Sequence, residues 1–197
     1  MSINDEITSL ENMAKQKISE IHTAMPAKII SFDASTCTAV VKPTLMYYTA
    51  DDELLEYPLI TGVPVFMPRA GSAQITYPVK ADDSCLLIFS ERSIDEWLGK
   101  GASDNHDPRQ YDLTDAFAFV GMCPAQSISA ENVELINSST KISVTPSNTV
   151  NITGNVNITG NVTITGTVVS SGDVLGGGIS LIGHYHMAPH GPTSPSH

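Results

Sequence analysis

NITGNVNITGNVTITGTVVSSG, residues 151–172, returns a glycine every six positions, at Gly154, Gly160, Gly166 and Gly172. Each of the first two periods between them holds one apolar pair two places apart, Val156/Ile158 and Val162/Ile164, set among Asn and Thr. Residues at i and i+2 of an extended chain point to one side. Glycine takes a bend or a positive φ that other residues resist. The unit is therefore a short strand with a corner. Upstream, the pairs Val133/Leu135, Ile142/Val144 and Val150/Ile152 lead into it, their spacing falling from nine residues through eight to six. No aromatic residue occurs between Phe119 and Tyr185.

Such a segment cannot bury its own valines. In a single-chain left-handed β-helix three hexads make one coil, and residues 149–178 supply only five hexads, fewer than two coils. A solenoid needs about three stacked layers to enclose a core. Three identical chains wound around one axis solve the problem, because each hexad then forms one side of a layer holding apolar pairs from all three. At roughly 1.5–3 kcal/mol per fully buried side chain, such a layer gains on the order of 10 kcal/mol before backbone ordering offsets most of it. The pattern predicts an intertwined trimeric β-helix over residues 124–183.

GHYHMAPHG, residues 183–191, follows the repeat. If the strand continues, His184 and His186 point to one side, and three chains bring six imidazoles to the axis. Six nitrogens make an octahedral set; imidazole suits Fe, Ni, Cu and Zn, and structural zinc prefers four ligands. His184 and His186 are thus candidate metal ligands, and His190 is a weaker one behind a Pro189/Gly191 turn. His-x-His alone is of low specificity, and terminal histidines are often merely solvated. His22 and His106 read as ordinary surface residues.

The preceding chain has two other textures. In residues 1–24, Ile3, Ile7, Leu10, Ala14, Lys17 and Ile21 follow a 4-3-4-3-4 spacing, a narrow apolar stripe on a charged helix. It suits a partner helix, a groove or the surface of its own domain. Residues 25–123 alternate β-rich runs such as AKIISFD, TCTAVVKPTLMYY and SCLLIFS with Asp-Asp, Ala-Gly and Pro punctuation. One short helix, RSIDEWLGKG, interrupts them, with Ile94, Trp97 and Leu98 on one face and Trp97 expected to be packed. Five strands or slightly more, with a helix between late ones, fit a small Greek-key barrel of OB type or a β-sandwich. The fold class is mainly β.

Composition narrows the function. The chain of 197 residues carries 21 acidic against 10 basic side chains, a formal charge of −11, which makes nucleic acid a poor partner. Cys37, Cys85 and Cys123 fit neither a disulfide framework nor a zinc spacing. The longest apolar run, CLLIF, is far too short to span a membrane, and MSINDEITSLENMAKQ lacks a signal-peptide core. A chain made as a soluble cytoplasmic protein is expected. No Ser/His/Asp set or phosphate-binding glycine loop stands out, and LGGGIS does not open a helix after a strand. Trimeric hexapeptide-repeat acyltransferases share only the period, since here the histidines lie beyond the repeat. A trimeric adhesin or glycan-binding fibre is a further alternative.

The combination of YPLITGVPVFMPRAG, YPVKADDSCLLIFSERSIDEWL and YDLTDAFAFVGMCP with the hexads and HYH resembles the cell-puncturing central spike proteins at the baseplate tip of contractile-tailed bacteriophages. The resemblance covers nearly the whole chain. It implies an OB-fold domain over residues 25–123, an intertwined trimeric β-helix over 124–183 and an apex over 184–197. It also implies one iron ion per trimer, bound through His184 and His186 of three chains. The implied protein is non-enzymatic and sits in the virion at the tail tip. It docks on a baseplate hub or tail-tube protein through its N-terminal region and pierces the host outer membrane on contraction. The run MAPHGPTSPSH departs from the family's apex loop in its extra histidine and prolines.

Overall fold

The structure, a computed structural model, describes residues 3–49, 51–101, 106–122 and 127–184, together with the backbone of 187–188 and 191–192. It is mainly β and divides into two units, Met1–Ile128 and Ser129–His197. No helix among the described residues is long and apolar enough to cross a membrane.

The first unit begins with α1 (Ile3–Ser19), which carries Asp5 and Glu6 in its first turn and Lys17 in its last, the order that complements a helix dipole. None of its residues is buried, so the apolar stripe read from the sequence lies open. Then come β1 (Ala24–Asp33), β2 (Thr38–Pro43), the hairpin β3 (Met46–Tyr48) and β4 (Leu54–Glu56), and β5 (Ile60–Pro64). A two-residue ladder, β6 (Arg69–Ala70) with β7 (Ala73–Gln74), precedes β8 (Ser84–Phe89), α2 (Asp95–Lys100) and β9 (Ala116–Val120).

Five of these strands form one sheet in the order β5-β2-β1-β8-β9, antiparallel throughout. Period-2 alternation sends Met25, Ala27 and Ile29 of β1, Ala39 and Val41 of β2, and Cys85, Leu87 and Phe89 of β8 to one side. With Ile60, Val63, Val65, Ala116 and Ala118 they make the core. Two bulges curl the sheet. One falls in β1 between Ile29 and Ser31. The other lies in β5, where Val41 opposes Ile60 but Ala39 opposes Val63, and Gly62 at φ 70° absorbs the extra residue. The curl brings the edges together: Val65 bridges Ala118 in parallel, and the Phe66 amide donates to the Ala118 carbonyl at 2.8 Å.

Two expectations for single residues change. Trp97 is 47% exposed, edge-on to Phe117 at 5.7 Å, because α2 turns Ile94 inward and leaves Trp97 and Leu98 outside. His22 is half-buried against Tyr57 and Phe89 rather than standing on the surface.

The second unit opens with a three-stranded meander, β10 (Val133–Asn137), β11 (Thr140–Val144) and β12 (Val150–Thr153). Beyond it the described residues 154–174 form no strand pairing within the chain. A hairpin follows, β13 (Leu175–Gly176) with β14 (Ile179–Ser180). Gly177 at φ 60° and Gly178 at φ 85° make its two-residue turn, the backbone that a tight hairpin needs. LGGGIS is thus a hairpin turn.

Candidate functional site

The feature of the second unit that calls for a partner is one uncovered apolar face. Register puts Val133, Val144 and Val150 in one cross-strand row and Leu135, Ile142 and Ile152 in the next. All six are exposed. The opposite face carries Glu134, Lys141, Ser143, Asn151 and Thr153, with Ile136 its one apolar member. There Glu134 accepts from the Lys141 ammonium at 3.0 Å and the Ser143 hydroxyl at 3.2 Å, and the lysine holds that carboxyl below its ordinary range. A contiguous apolar face left open on a sheet is a common feature of interaction surfaces.

The hexads continue the sequence of exposed apolar pairs. Val156, Ile158, Val162 and Ile164 are 56% to 63% exposed. Gly154, Gly160 and Gly166 adopt φ of 125°, 135° and 140°, so the backbone repeats its corner with the period of the sequence. At Gly154 a side chain would also press on the Thr140 methyl, 3.2 Å from where a Cβ would stand. The single chain therefore has the periodic corners of the expected shaft but neither its ladders nor its core.

The hairpin at residues 175–180 works as a clasp. The Asp173 carboxylate accepts from the Val174 and Ile182 amides at 2.8 and 3.1 Å, and the Leu181 amide donates to the Val174 carbonyl at 2.9 Å. Those bonds hold the Asp173 carboxyl below its ordinary range, the contact with Ser180 contributing most. The clasp delivers His184 through a turn over Leu181–Gly183, not along the continuing strand that the sequence suggested. The reason is local: Ser180 captures the Gly183 amide on its hydroxyl and the His184 amide on its carbonyl.

His184 is half-buried, and its Nδ1 lies 2.8 Å from the Leu181 carbonyl. A carbonyl only accepts, so Nδ1 carries a proton and donates it to this bond. A backbone carbonyl that orients the ring in this way is also a common support of metal-ligating histidines. His186, His190, His197 and Cys123 lie outside the described residues. Among the described residues no group of three or more His, Cys, Asp or Glu has metal-holding geometry.

Two clusters in the first unit bear on chemistry. Arg109 donates to Asp107 at 2.9 Å, Ser93 at 2.6 Å and Thr114 at 3.0 Å, pairs with Asp95, and lies 3.6 Å from Asp115. Asp115 is 1% exposed; one carboxylate oxygen accepts from the Ile94 amide at 3.1 Å while the other has no hydrogen-bond partner. Burial pushes its carboxyl up despite that amide and the guanidinium. The cluster pins α2 and the chain before β9 to the sheet, with the arginine where a cation would sit. Separately, a groove of about 860 Å³ beside α1 is lined by Ser19, Glu20, His22, Tyr47, Tyr48 and Tyr57, among others. These do not form a nucleophile set, since the Ser19 hydroxyl donates to the Gln16 carbonyl and Glu20 pairs with Lys17.

A small curled-sheet domain with its own core is joined to a stretch, charge-free over residues 142–172, whose apolar side chains are exposed. Residues 25–121 match the model of the phage protein Gp138 N-terminal domain family. The match begins in β1 and ends one residue past β9, so it takes in all five strands of the curled sheet and leaves out α1 and the second unit. The match likens this domain to a phage protein domain, and it supports a virion component of baseplate type with a structural role. No curated protein matches the chain.

Proposed function

We propose that the chain is one protomer of a homotrimeric, non-enzymatic spike at the tip of a contractile tail, driven through the host outer membrane when the tail contracts. The observation that carries this reading is the series of apolar pairs from Val133/Leu135 to Val162/Ile164, every one of them exposed in one chain. Three parallel chains would close it into a β-helical shaft of stacked valine and isoleucine. In the first unit, the pairing of the five strands with its parallel closing contact supports an OB-type barrel. Barrel and α1 would form the collar that docks on a hub or tail-tube protein, in keeping with the phage-domain match.

At the far end, His184 and His186 of three chains would hold an iron ion. The ion would staple three chain ends that otherwise fray under load. Native mass spectrometry tests both parts together. The expected result is a trimer carrying one metal ion, and a trimer without metal for His184→Ala/His186→Ala. A monomeric wild type ends the spike reading; equal metal content in wild type and variant ends the apex site alone. A glycan-binding fibre draws on one observation, the tyrosines lining the groove beside α1. Sugar binding on a glycan array would favour it.

A further inference from the structure

α1 turns its polar side to its own domain. The groove beside it is lined by Asn12, Lys15, Gln16 and Ser19 of the helix and by Tyr47 and Tyr57 across from them. At about 100° per residue, Ile3, Ile7 and Leu10 fall on the opposite side of the helix. They are 76%, 50% and 65% exposed, so the domain that carries the helix does not cover them. An amphipathic helix ordinarily packs the other way round, apolar stripe inward. The family match begins at residue 25, so α1 is an addition to the matched domain and not a part of it.

Charge decides what can cover the stripe. No basic side chain occurs in residues 1–14, and Glu6 and Glu11, both exposed, flank the stripe on its two sides. The same helix of another copy is a poor cover on two counts. A parallel coil would set Glu6 of one chain beside Glu11 of the next, and it would bury Lys17 in its seam. An anionic lipid surface is repelled by the same carboxylates, where membrane-surface helices carry Lys and Arg. A groove on a different protein meets neither objection. Apolar anchors at i, i+4 and i+7 are the spacing by which a helix fills such a groove, and a basic rim complements Glu6 and Glu11.

We infer that α1 is a docking helix whose Ile3, Ile7 and Leu10 seat in an apolar groove, rimmed by Lys or Arg, on a different protein of the assembly. This deepens the collar reading above and rests on it for the partner's place in the tail. The test uses tail particles containing the full-length chain, with an apolar photo-crosslinking residue in place of Leu10 and peptide mass spectrometry of the products. The expected product joins α1 to a second tail protein at a segment that carries Lys or Arg. Glu6→Lys should lower incorporation and crosslink yield several-fold. Asp5→Lys, an equal charge change in the same turn but on the far side of the helix from the stripe, should leave both unchanged. Equal effects of the two substitutions overturn the basic rim and with it the inference. A crosslink to α1 of another copy, a crosslink to lipid, or none at all also overturns it, and each leaves the trimeric spike standing. A wild type that is monomeric by native mass spectrometry ends the spike reading instead, and the crosslink then decides the docking helix by itself.

Discussion

Replacing Ile158 by alanine asks whether the hexads are a core or a coat. Ile158 is 63% exposed in the single chain. The change removes three carbon atoms, worth about 0.8 kcal/mol each when fully buried. Scaled by the area that assembly has left to cover, that is about 1.5 kcal/mol per chain, and about 4 to 5 kcal/mol for a trimer in which three copies meet. The cavity left behind adds to this. Asn157, the next residue, points to the other side of an extended chain, and Asn157→Ala should change stability by no more than about 0.5 kcal/mol per chain. Denaturant unfolding of the full-length protein, followed at several concentrations, measures both. The expected outcome is a midpoint that rises with protein concentration and a large drop for Ile158→Ala alone. Equal effects of the two substitutions, or a midpoint independent of concentration, refute the reasoning, because an outward-facing isoleucine in a monomer has nothing to lose.

Two further perturbations probe backbone and charge. Gly160→Ala should cost about 1 to 3 kcal/mol per chain, because a φ of 135° lies where only glycine is at ease although space around it is open; Gly172→Ala, at a glycine with no positive φ, should cost far less in the same melts. Arg109→Ala should destabilise the first unit by about 3 kcal/mol at pH 8 and by clearly less near pH 4. Two carboxyls set this sign. Asp115 already has its folded-state pKa raised by burial, and loss of the guanidinium raises it further, so the stability that remains at acid pH is lost as pH climbs through that value. Asp107, held low chiefly by Arg109, contributes stability above the ordinary carboxylate range, and the variant forfeits it there. Urea melts across the pH range check the trend, and a pH-independent penalty contradicts it.

What the sequence disclosed was local and periodic. The six-residue return of glycine is repeated in the φ angles of Gly154, Gly160 and Gly166. The alternation of Met25, Ala27, Ile29 and of Cys85, Leu87, Phe89 names the inward face of the sheet. What it hid depends on partners distant in the chain. Closure through Val65 and Ala118 joins residues 53 positions apart, and no pattern near either predicts it. His22 looks solvated until Tyr57 and Phe89 arrive beside it. Trp97 and Leu98 share a helical stripe with Ile94, yet only Ile94, the residue just before α2, turns inward, its amide held by Asp115 from 21 residues further on. Of the candidate histidine pair, only His184 lies within the described residues. His-x-His is visible in the sequence, but the Ser180 and Asp173 clasp that turns the chain at Leu181 and orients the His184 ring depends on hydrogen bonds that no spacing encodes.

The glycine corners bear on how such a shaft could change its length. Six is an even number, so adding or deleting one whole hexad keeps every later valine and isoleucine on the inner side and every corner in phase. A single inserted residue reverses the facing of everything downstream and moves an asparagine or threonine into each inner position. Reach can therefore vary only in steps of one period, each step leaving the girth unchanged. In the proposed shaft, length would be counted in glycines.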